Sequence, residues 1–319
     1  FKNWMKRSRT SVGVTIGDPA GLGPEVAVKA LAGIIAGPRT KFLRFGDEPV
    51  LKRTGLPVPE GVTVITSGII NNQAFPKGKA SPLTGKAAYQ YFSNAISFLK
   101  SGEIKALVTA PVSKEAINLA GFKFHGHTEV LAEKFGVTDY GMLFSAGRFR
   151  LFLLTTHLSL SGVSREITAE LIFRKVSLAG CFLKAGLGIK NPKILICGLN
   201  PHAGEGGFLG REEETIFKPV IALLLKEGLD VSGPVSADSA YRIYCQGGFH
   251  LMVSAYHDQI LPLFKALYFD RGVNVTIGLP FIRTSPDHGT AFDLAYKNLA
   301  DSRSMEAAIK LALRFSKEE

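Results

Sequence analysis

The sequence is poor in cysteine and has no long apolar run. Its three cysteines, Cys181, Cys197 and Cys245, stand among 319 residues, and none belongs to a CxxC pair. Such sparse thiols disfavour a disulfide-stapled secreted domain and predict free cysteines in a reducing cytoplasm, with Cys181 and Cys197 as small core residues. No apolar run reaches the ~18–20 residues of a membrane helix, so we expect no membrane span.

Acidic residues are also in the minority. The chain has 38 Lys and Arg against 27 Asp and Glu, for a formal net charge of +11. Nucleic-acid binding would need a dense basic stripe with interleaved aromatics. Beyond the N-terminal cluster of Lys2, Lys6, Arg7 and Arg9, however, the basic residues are dispersed. The charge instead suits anionic small molecules or solubility, and we expect no nucleic-acid partner. The N-terminal cluster lacks an apolar h-region and is a poor signal peptide.

Several familiar motifs are missing as well. The segment GDPAGLGPE (17–25) lies between a strand-like and a helix-like stretch, where a dinucleotide-binding loop would lie. Its pattern is GxxxGxG and not GxGxxG, so the Rossmann fingerprint is absent, and neither GxxxxGK[ST] nor GxSxG occurs. We infer no cofactor from this segment and expect it to form a turn into the helix.

Strand-like and helix-like segments alternate through most of the chain. The strand-like segments are uninterrupted apolar runs, such as KALVTAPV (105–112), FRLFLLTTH (149–157) and KILICGLN (193–200). Such runs are typical of strands covered by helices on both faces. The pattern predicts an α/β protein with a largely parallel sheet. Because no linker is visible, a second lobe would be inserted into the first.

Three of the seven histidines, His157, His202 and His257, directly follow strand-like runs. Open α/β sheets bind ligands beyond the carboxyl ends of their strands. One histidine at such an end is usually an ordinary loop residue, but three at equivalent ends predict a shared metal. Three imidazoles leave an open position on Zn²⁺ or a similar ion, which would act as a Lewis acid on a substrate oxygen.

Other residues could bind an anion. His127 and Thr128 open a helix-like run, where Thr128 is either an N-cap or part of an anion site at the helix N-terminus. Arg283 follows the apolar run GLPFI, where a charge needs a partner such as phosphate or carboxylate. Lys265 and Asn274 join this set, although Lys265 could equally lie on a solvated helix face.

One carboxylate is a further candidate. Asp238, in the segment GPVSADSAY (233–241), could transfer a proton or bind a cationic group of a substrate. The alternative is an N-cap or turn aspartate.

Taken together, these blocks resemble one enzyme family. The segments GVTIGDPAGLGPEV, VTAPVSK, FHGHTE, LLTTHLSL, NPHAGEGGFLGREE, SADSAY, YHDQILPLFK and VNVTIGLPFIRTSPDHGTAFD are similar to the 4-hydroxythreonine-4-phosphate dehydrogenases, NAD(P)-dependent enzymes of pyridoxal phosphate biosynthesis. The resemblance implies the fold of the isocitrate and isopropylmalate dehydrogenases, in which two α/β/α lobes flank a cleft and NAD binds without a Rossmann motif. We expect residues 1–125 plus 275–319 to form the cofactor-side lobe, and residues 126–274 an inserted lobe for metal, substrate and dimerisation.

The resemblance also implies residue roles. The metal, zinc or else magnesium or cobalt, would be bound by His157, His202 and His257. The substrate would be contacted by His127, Thr128, Lys265, Asn274 and Arg283. The adenosine end of NAD or NADP would meet His288, Gly289 and Thr290. The family is homodimeric with its site completed across the interface, so we expect a cytoplasmic homodimer.

The implied reaction is oxidation of 4-phosphooxy-L-threonine at C3, followed by decarboxylation to 3-amino-2-oxopropyl phosphate. Asp238 and Lys265 are both candidates for the base. One alternative keeps the family but changes the substrate to 4-phospho-D-threonate, 4-phospho-D-erythronate or an aromatic dihydrodiol. Alternatives of other classes are a three-histidine zinc hydrolase, which would need no nicotinamide, a phosphate acetyltransferase-like enzyme, and a non-catalytic binding protein.

Overall fold

The computed structural model describes residues 10–34, 40–57 and 59–316, so the N-terminal basic cluster lies outside the described residues. The chain divides into two compact units. Unit 1 comprises residues 1–136 and 280–319, and unit 2 comprises residues 137–279. Unit 2 is therefore one chain segment inserted between the two segments of unit 1. His127 and Thr128 belong to unit 1.

Strands and helices alternate along both units. The first segment of unit 1 contains β1 (Thr10–Thr15), α1 (Gly23–Ala32), β2 (Thr40–Phe45), α2 (Glu48–Lys52), β3 (Val62–Ile65), α3 (Pro82–Lys100), β4 (Ala106–Thr109), α4 (Lys114–Leu119) and α5 (His127–Phe135). Unit 2 contains β5 (Gly141–Ala146), β6 (Phe149–Leu153), α6 (Leu160–Glu166), α7 (Ala169–Ala185), β7 (Lys193–Cys197), α8 (Lys218–Lys226), β8 (Asp230–Val235), α9 (Ala237–Gly247), β9 (Leu251–Ser254), α10 (His257–Tyr268) and β10 (Val273–Ile277). The second segment of unit 1 adds β11 (Ile282–Pro286) and α11 (Arg303–Phe315).

The described part of unit 1 is built on five parallel strands in the order β3-β2-β1-β4-β11. Helix α3 lies on one face, where Phe98 packs edge-on against Phe45 with ring centroids 5.2 Å apart. Helix α11 lies on the other face, where the Thr284 hydroxyl donates a hydrogen bond of 2.9 Å to the Ala308 carbonyl. Because helices cover both faces, most strand positions are buried, which confirms the α/β prediction.

Unit 2 carries six strands in the order β10-β5-β6-β9-β7-β8. The pairs β6–β9, β9–β7 and β7–β8 are parallel, whereas β10–β5 and β5–β6 are antiparallel. Strands β5 and β6 form a hairpin whose turn is Gly147-Arg148, with Gly147 at φ +61°. A glycine of positive φ at the first turn position is typical of a two-residue hairpin, which is why the sheet reverses direction here.

An aromatic cluster forms much of the core of unit 2. The ring of Phe149 lies with its centroid 5.7 Å from that of Phe264 and 5.1 Å from that of Tyr244. The buried Leu151 and Leu195 belong to the same cluster. These side chains come from β6, β7, α9 and α10, so the core fixes the helices that begin just beyond the strand ends.

Some local features differ from the sequence-based expectations. Helix α6 ends before α7 begins, because Ile167 is extended and Thr168 caps α7 by accepting a hydrogen bond of 3.1 Å from the Leu171 amide. The cysteines are free, and Cys197 is buried, but Cys181 is exposed, so its assignment to the core is wrong. Within the described ranges, no helix is long and apolar enough to cross a membrane.

A buried carboxylate, Asp47, connects three parts of unit 1. It precedes α2, and its oxygens accept hydrogen bonds from the hydroxyls of Thr66 and Tyr91 and from the backbone amides of Ser67, Gly68 and Ile70. Burial alone would raise the pKa of Asp47, but the bonds from Ile70, Thr66, Ser67 and Gly68 outweigh it and lower the pKa below its ordinary value. The folded state therefore stabilises the charged form of the Asp47 side chain over the protonated form.

We expect Asp47→Asn to lower the free energy of unfolding by about 2–4 kcal/mol, because an amide turns a donor toward buried N–H groups. Equilibrium urea unfolding measures this, with Glu48→Gln as the control, since that neighbouring side chain is 62% exposed. A lowered folded-state pKa contributes stability above the unfolded value of about 3.9 and loses it as the pH falls. Variant and wild type should therefore converge in acid, and a difference that stays constant with pH would contradict this role.

Candidate active site

Helix α5 presents an open N-terminus in unit 1. Its N-cap residue is Gly126, and no side chain caps the helix. His127 and the buried Thr128 are its first two residues, so the interpretation of Thr128 as the N-cap is wrong. A Cβ at position 126 would lie 2.4 Å from a carboxylate oxygen of Glu129, so a larger residue there would displace the end of that side chain. Amides at a helix N-terminus, with the positive end of the helix dipole, favour an anion.

The imidazole of His127 is held between two aromatic rings. It packs edge-on against Phe92 and Phe124, with centroids 4.7 and 5.5 Å away. Its Nε2 atom is buried and has no hydrogen-bond partner among the residues that the structure describes. Burial, reinforced by the positive charges of Arg283 and Lys114, keeps the pKa of His127 well below its ordinary value. The ring is therefore neutral at physiological pH, with one buried nitrogen available to a ligand.

Arg283 brings a buried positive charge to the same unit. It lies on β11 and is 5% exposed. Its Nε and Nη2 atoms donate hydrogen bonds of 3.1 and 2.6 Å to the hydroxyl of Thr109, at the carboxyl end of β4. Burial lowers the pKa of Arg283 to about 10, against the opposing effect of the Glu129 carboxylate, so the guanidinium stays charged at neutral pH. Arg283, His127 and the start of α5 together suit a small anion.

Two residues of unit 1 near this site were not singled out from the sequence. Thr109 and Lys114 both belong to the VTAPVSK segment, which contributed to the family resemblance without an assigned role. Lys114 begins α4, and its charge acts on His127. Only their position in the sequence could have indicated a role, because polar residues at the carboxyl end of a parallel strand lie where ligands bind.

In unit 2, the structure brings His157 and His257 together. Their ring centroids are 6.0 Å apart. Two imidazoles that share one tetrahedral zinc ion, with Zn–N distances of about 2.0–2.1 Å, would have centroids roughly 5 Å apart, which is closer than these two rings lie. His257 begins α10, and its Nδ1 lies 2.6 Å from a carboxylate oxygen of Asp258, which leaves Nε2 as the nitrogen for a metal.

His202 lies in a strained loop that follows β7. His202, Ala203 and Glu205 have φ values of +51°, +51° and +45°, and Gly204 and Gly206 are also left-handed. Such a run costs roughly 1–2 kcal/mol for each non-glycine residue, so surrounding contacts must stabilise it. The buried carboxylate of Glu213 does so, accepting hydrogen bonds of 2.7 and 2.9 Å from the backbone and side-chain nitrogens of Asn200.

The three predicted metal ligands are not equally placed. Across the described ranges, no three His, Cys, Asp or Glu side chains are grouped closely enough to hold a metal ion. The structure pairs His157 with His257 but does not group His202 with them, so the shared three-histidine site stays a prediction. Neutral imidazole ligands suit zinc and similar transition-metal ions better than magnesium, which prefers oxygen ligands.

The remaining candidates of unit 2 lie on α9, α10 and β10. Asp238 is exposed in the first turn of α9, whose N-cap is Ser236, so Asp238 is not the cap. Its pKa is lowered, mainly by a hydrogen bond with the Ser236 side chain and also by His202, and it is a carboxylate at neutral pH. Asn274 lies on β10 with its side-chain oxygen buried and unpartnered within the described residues. Lys265 is half-buried on α10.

The predicted cofactor loop His288-Gly289-Thr290 packs against the glycine-rich segment of unit 1. The Leu22 amide donates a hydrogen bond of 2.9 Å to the Thr290 carbonyl. A Cβ at Gly21 would lie 2.9 Å from the same carbonyl oxygen, so this close approach requires glycine. The segment leads into α1 at Gly23, as expected for a turn into the helix.

A buried acid, Asp18, lies in that glycine-rich segment and was not singled out from the sequence. One of its oxygens accepts a hydrogen bond of 2.8 Å from the Ala20 amide, and the other is buried without a partner among the described residues. Burial raises the pKa of Asp18 to about 6, although the hydrogen bond from the Ala20 amide opposes the rise. A carboxyl group that titrates this close to neutrality next to a predicted ligand loop is a candidate functional group.

The fold and these groups are those of an α/β metabolic enzyme. The chain matches the family model of the pyridoxal phosphate biosynthetic protein PdxA over residues 32–312, and it belongs to this family. It is 37% identical to a 4-hydroxythreonine-4-phosphate dehydrogenase of Desulforapulum autotrophicum, over 97% of this chain and 96% of the relative. It is 39% identical to a D-threonate 4-phosphate dehydrogenase of Cupriavidus necator, over 94% of this chain and 95% of the relative.

A solved structure agrees with this assignment. The 4-hydroxythreonine-4-phosphate dehydrogenase from Klebsiella pneumoniae superposes with a TM-score of 0.85 at 34% identity, over 98% of this chain and 99% of that one. The family resemblance carried by the sequence motifs is thereby confirmed.

The charge of Arg283 should have a measurable effect on the pKa of His127. We expect Arg283→Met to raise the pKa of His127, because it removes a neighbouring positive charge that disfavours the imidazolium. Histidine side-chain NMR across a pH titration measures this shift. Arg283→Lys retains the charge and serves as the control. An unchanged His127 titration in Arg283→Met would show that the two side chains do not interact.

Proposed function

We propose that this protein oxidises 4-phosphooxy-L-threonine at C3 with NAD or NADP, and that the product decarboxylates to 3-amino-2-oxopropyl phosphate in pyridoxal 5′-phosphate biosynthesis. The observation that carries the proposal is the anion site of unit 1, where the buried Arg283 and the unpartnered Nε2 of His127 lie in a member of the PdxA family. A phosphate monoester supplies the charge and acceptor oxygens that such a site requires.

The phosphate is assigned to side chains whose chemistry suits it. Arg283 contributes a fixed positive charge, and neutral His127 and Thr128 contribute hydrogen bonds at the N-terminus of α5. Lys265 and Asn274 of unit 2 are proposed as further substrate contacts, the latter supported by its buried, unpartnered oxygen. His288, Gly289 and Thr290 are proposed to meet the adenosine end of the nicotinamide cofactor.

The reaction transfers a hydride from C3 to the nicotinamide, while the C3 hydroxyl proton passes to a base. The resulting β-keto acid loses CO₂, and the carbon that carried the carboxylate is then protonated. A divalent metal held by His157, His202 and His257 would polarise the substrate oxygen. Asp238, which is a carboxylate at neutral pH, is also a suitable partner for the substrate ammonium group, and both Asp238 and Lys265 are proposed as candidates for the base.

We also propose a cytoplasmic homodimer. Unit 2 exposes large apolar side chains, with Leu160, Phe208 and Phe269 at 71%, 87% and 61% exposure. Exposed apolar groups of this size support an interface with a second copy.

A substrate panel tests the function. We expect NADH or NADPH formation with 4-phosphooxy-L-threonine when the protein is supplied with zinc, measured by nicotinamide absorbance. 4-Phospho-D-threonate is the second candidate, because the relative from Cupriavidus necator named for that substrate is equally similar. Turnover of 4-phospho-D-threonate alone would move the protein to that activity, and no turnover of either would overturn the dehydrogenase proposal.

Replacement of a predicted metal ligand tests the metal. We expect His202→Ala to reduce kcat/KM by ~10³ or more and to weaken zinc binding in calorimetry, since metal polarisation supplies several kcal/mol. His250→Ala is the matched control, because His250 is a histidine of unit 2 whose Nδ1 accepts a hydrogen bond from the Lys193 amide. An active and metal-free His202→Ala protein would refute the role.

A further inference from the structure

The hydroxyl of Thr109 accepts two hydrogen bonds from a single guanidinium. Arg283 donates from both Nε and Nη2, at 3.1 and 2.6 Å. Thr109 is 1% exposed and Arg283 is 5% exposed, so water does not compete for these bonds. Two bonds from one edge of the planar group to one oxygen restrict both its tilt and its rotation.

The position of Thr109 is itself fixed by the sheet. Thr109 ends β4, where it lies in register with Thr15 of β1, and β11 pairs with β4 on the other side. The backbone that carries the hydroxyl is therefore paired on both sides within the sheet. An oxygen on such a rigid element orients a long side chain better than one on a loop.

The chemistry of the acceptor matters as much as its position. A carboxylate at residue 109 would also hold the guanidinium, but it would add a negative charge beside the anion site. A threonine hydroxyl accepts the two bonds without adding charge. The positive charge of Arg283 thus stays unreduced by this contact, which suits the binding of a phosphate that carries close to two negative charges.

We infer that Thr109 is a positioning residue that orients Arg283 toward the phosphate of the substrate. The inference rests on the proposed function, in which Arg283 binds that phosphate. It makes Thr109 a determinant of specificity for phosphorylated over unphosphorylated substrates, although Thr109 need not touch the substrate itself.

Two substitutions of Thr109 separate the effect of its hydroxyl from the effect of its side-chain shape. Thr109→Val keeps the branched shape but removes the acceptor, whereas Thr109→Ser keeps the acceptor. With 4-phosphooxy-L-threonine, we expect Thr109→Val to raise KM by ~10- to 100-fold with kcat within about threefold, and Thr109→Ser to stay near wild type. With unphosphorylated 4-hydroxy-L-threonine, we expect kcat/KM of Thr109→Val to match wild type.

A purely structural role would give a different result, because both substrates would then lose kcat/KM equally. That outcome, or an unchanged KM for the phosphorylated substrate, would overturn the inference. In a double-mutant cycle, Arg283→Ala should make the Thr109→Val substitution nearly silent. Additive losses would likewise overturn it. Thermal unfolding verifies that each variant is folded, and Thr109→Ala replaces Thr109→Val if the latter does not fold.

The same variants distinguish failure of this inference from failure of the proposed function. If the wild type turns over neither phosphorylated substrate, the function is wrong and the anion site is tested by calorimetry with inorganic phosphate. Wild type and Thr109→Ser should then bind phosphate ~10-fold or more tighter than Thr109→Val. Equal binding by all three, or no binding by the wild type, would refute the role of Thr109.

Discussion

The burial of one positive charge, the guanidinium of Arg283, is the constraint on which the anion site of unit 1 depends. A charge that is 5% exposed must have compensating partners, and the partner described here is a hydroxyl at the end of the adjacent strand. The charge also acts on its surroundings, since it helps to keep His127 neutral. A neutral imidazole, a fixed guanidinium and an uncapped helix start then form one electropositive environment without mutual repulsion between two cations.

The glycine-rich segment (residues 17–25) contacts neighbouring loops through its main chain. Gly21 approaches the Thr290 carbonyl more closely than a side chain would permit, and the Ala20 carbonyl of the same segment accepts a hydrogen bond from the Gly78 amide. The segment thus supports the loop predicted to bind the cofactor through main-chain contacts. This arrangement explains how a GxxxGxG pattern can lie in the position of a dinucleotide loop without the phosphate-binding spacing of the Rossmann motif.

Sequence reasoning predicted the α/β class because continuous apolar runs have a direct physical cause, namely strands covered on both faces. It also selected Arg283, since a charge directly after an apolar run requires a partner. It could not select Thr109, because a buried threonine at a strand end is common and only the structure shows which donor it receives. The Gly126 cap was missed because threonine is the better cap by preference, whereas here a glycine precedes the helix and leaves room for the Glu129 carboxylate. The division into two units follows from contacts between distant segments, which composition does not record.

The insertion of unit 2 has a consequence for biosynthesis. Unit 2 is one uninterrupted segment. All of its strands are therefore made before translation ends, and they can pair while the rest of the chain is still being synthesised. Unit 1 cannot complete its sheet at that stage, because β11 emerges only after all of unit 2 has been made. Strand β11 is the last to pair, beside β4, and it carries the guanidinium of Arg283. Until β11 is made, β4 is therefore an edge strand, and the final strand delivers both the missing hydrogen bonds and the charge.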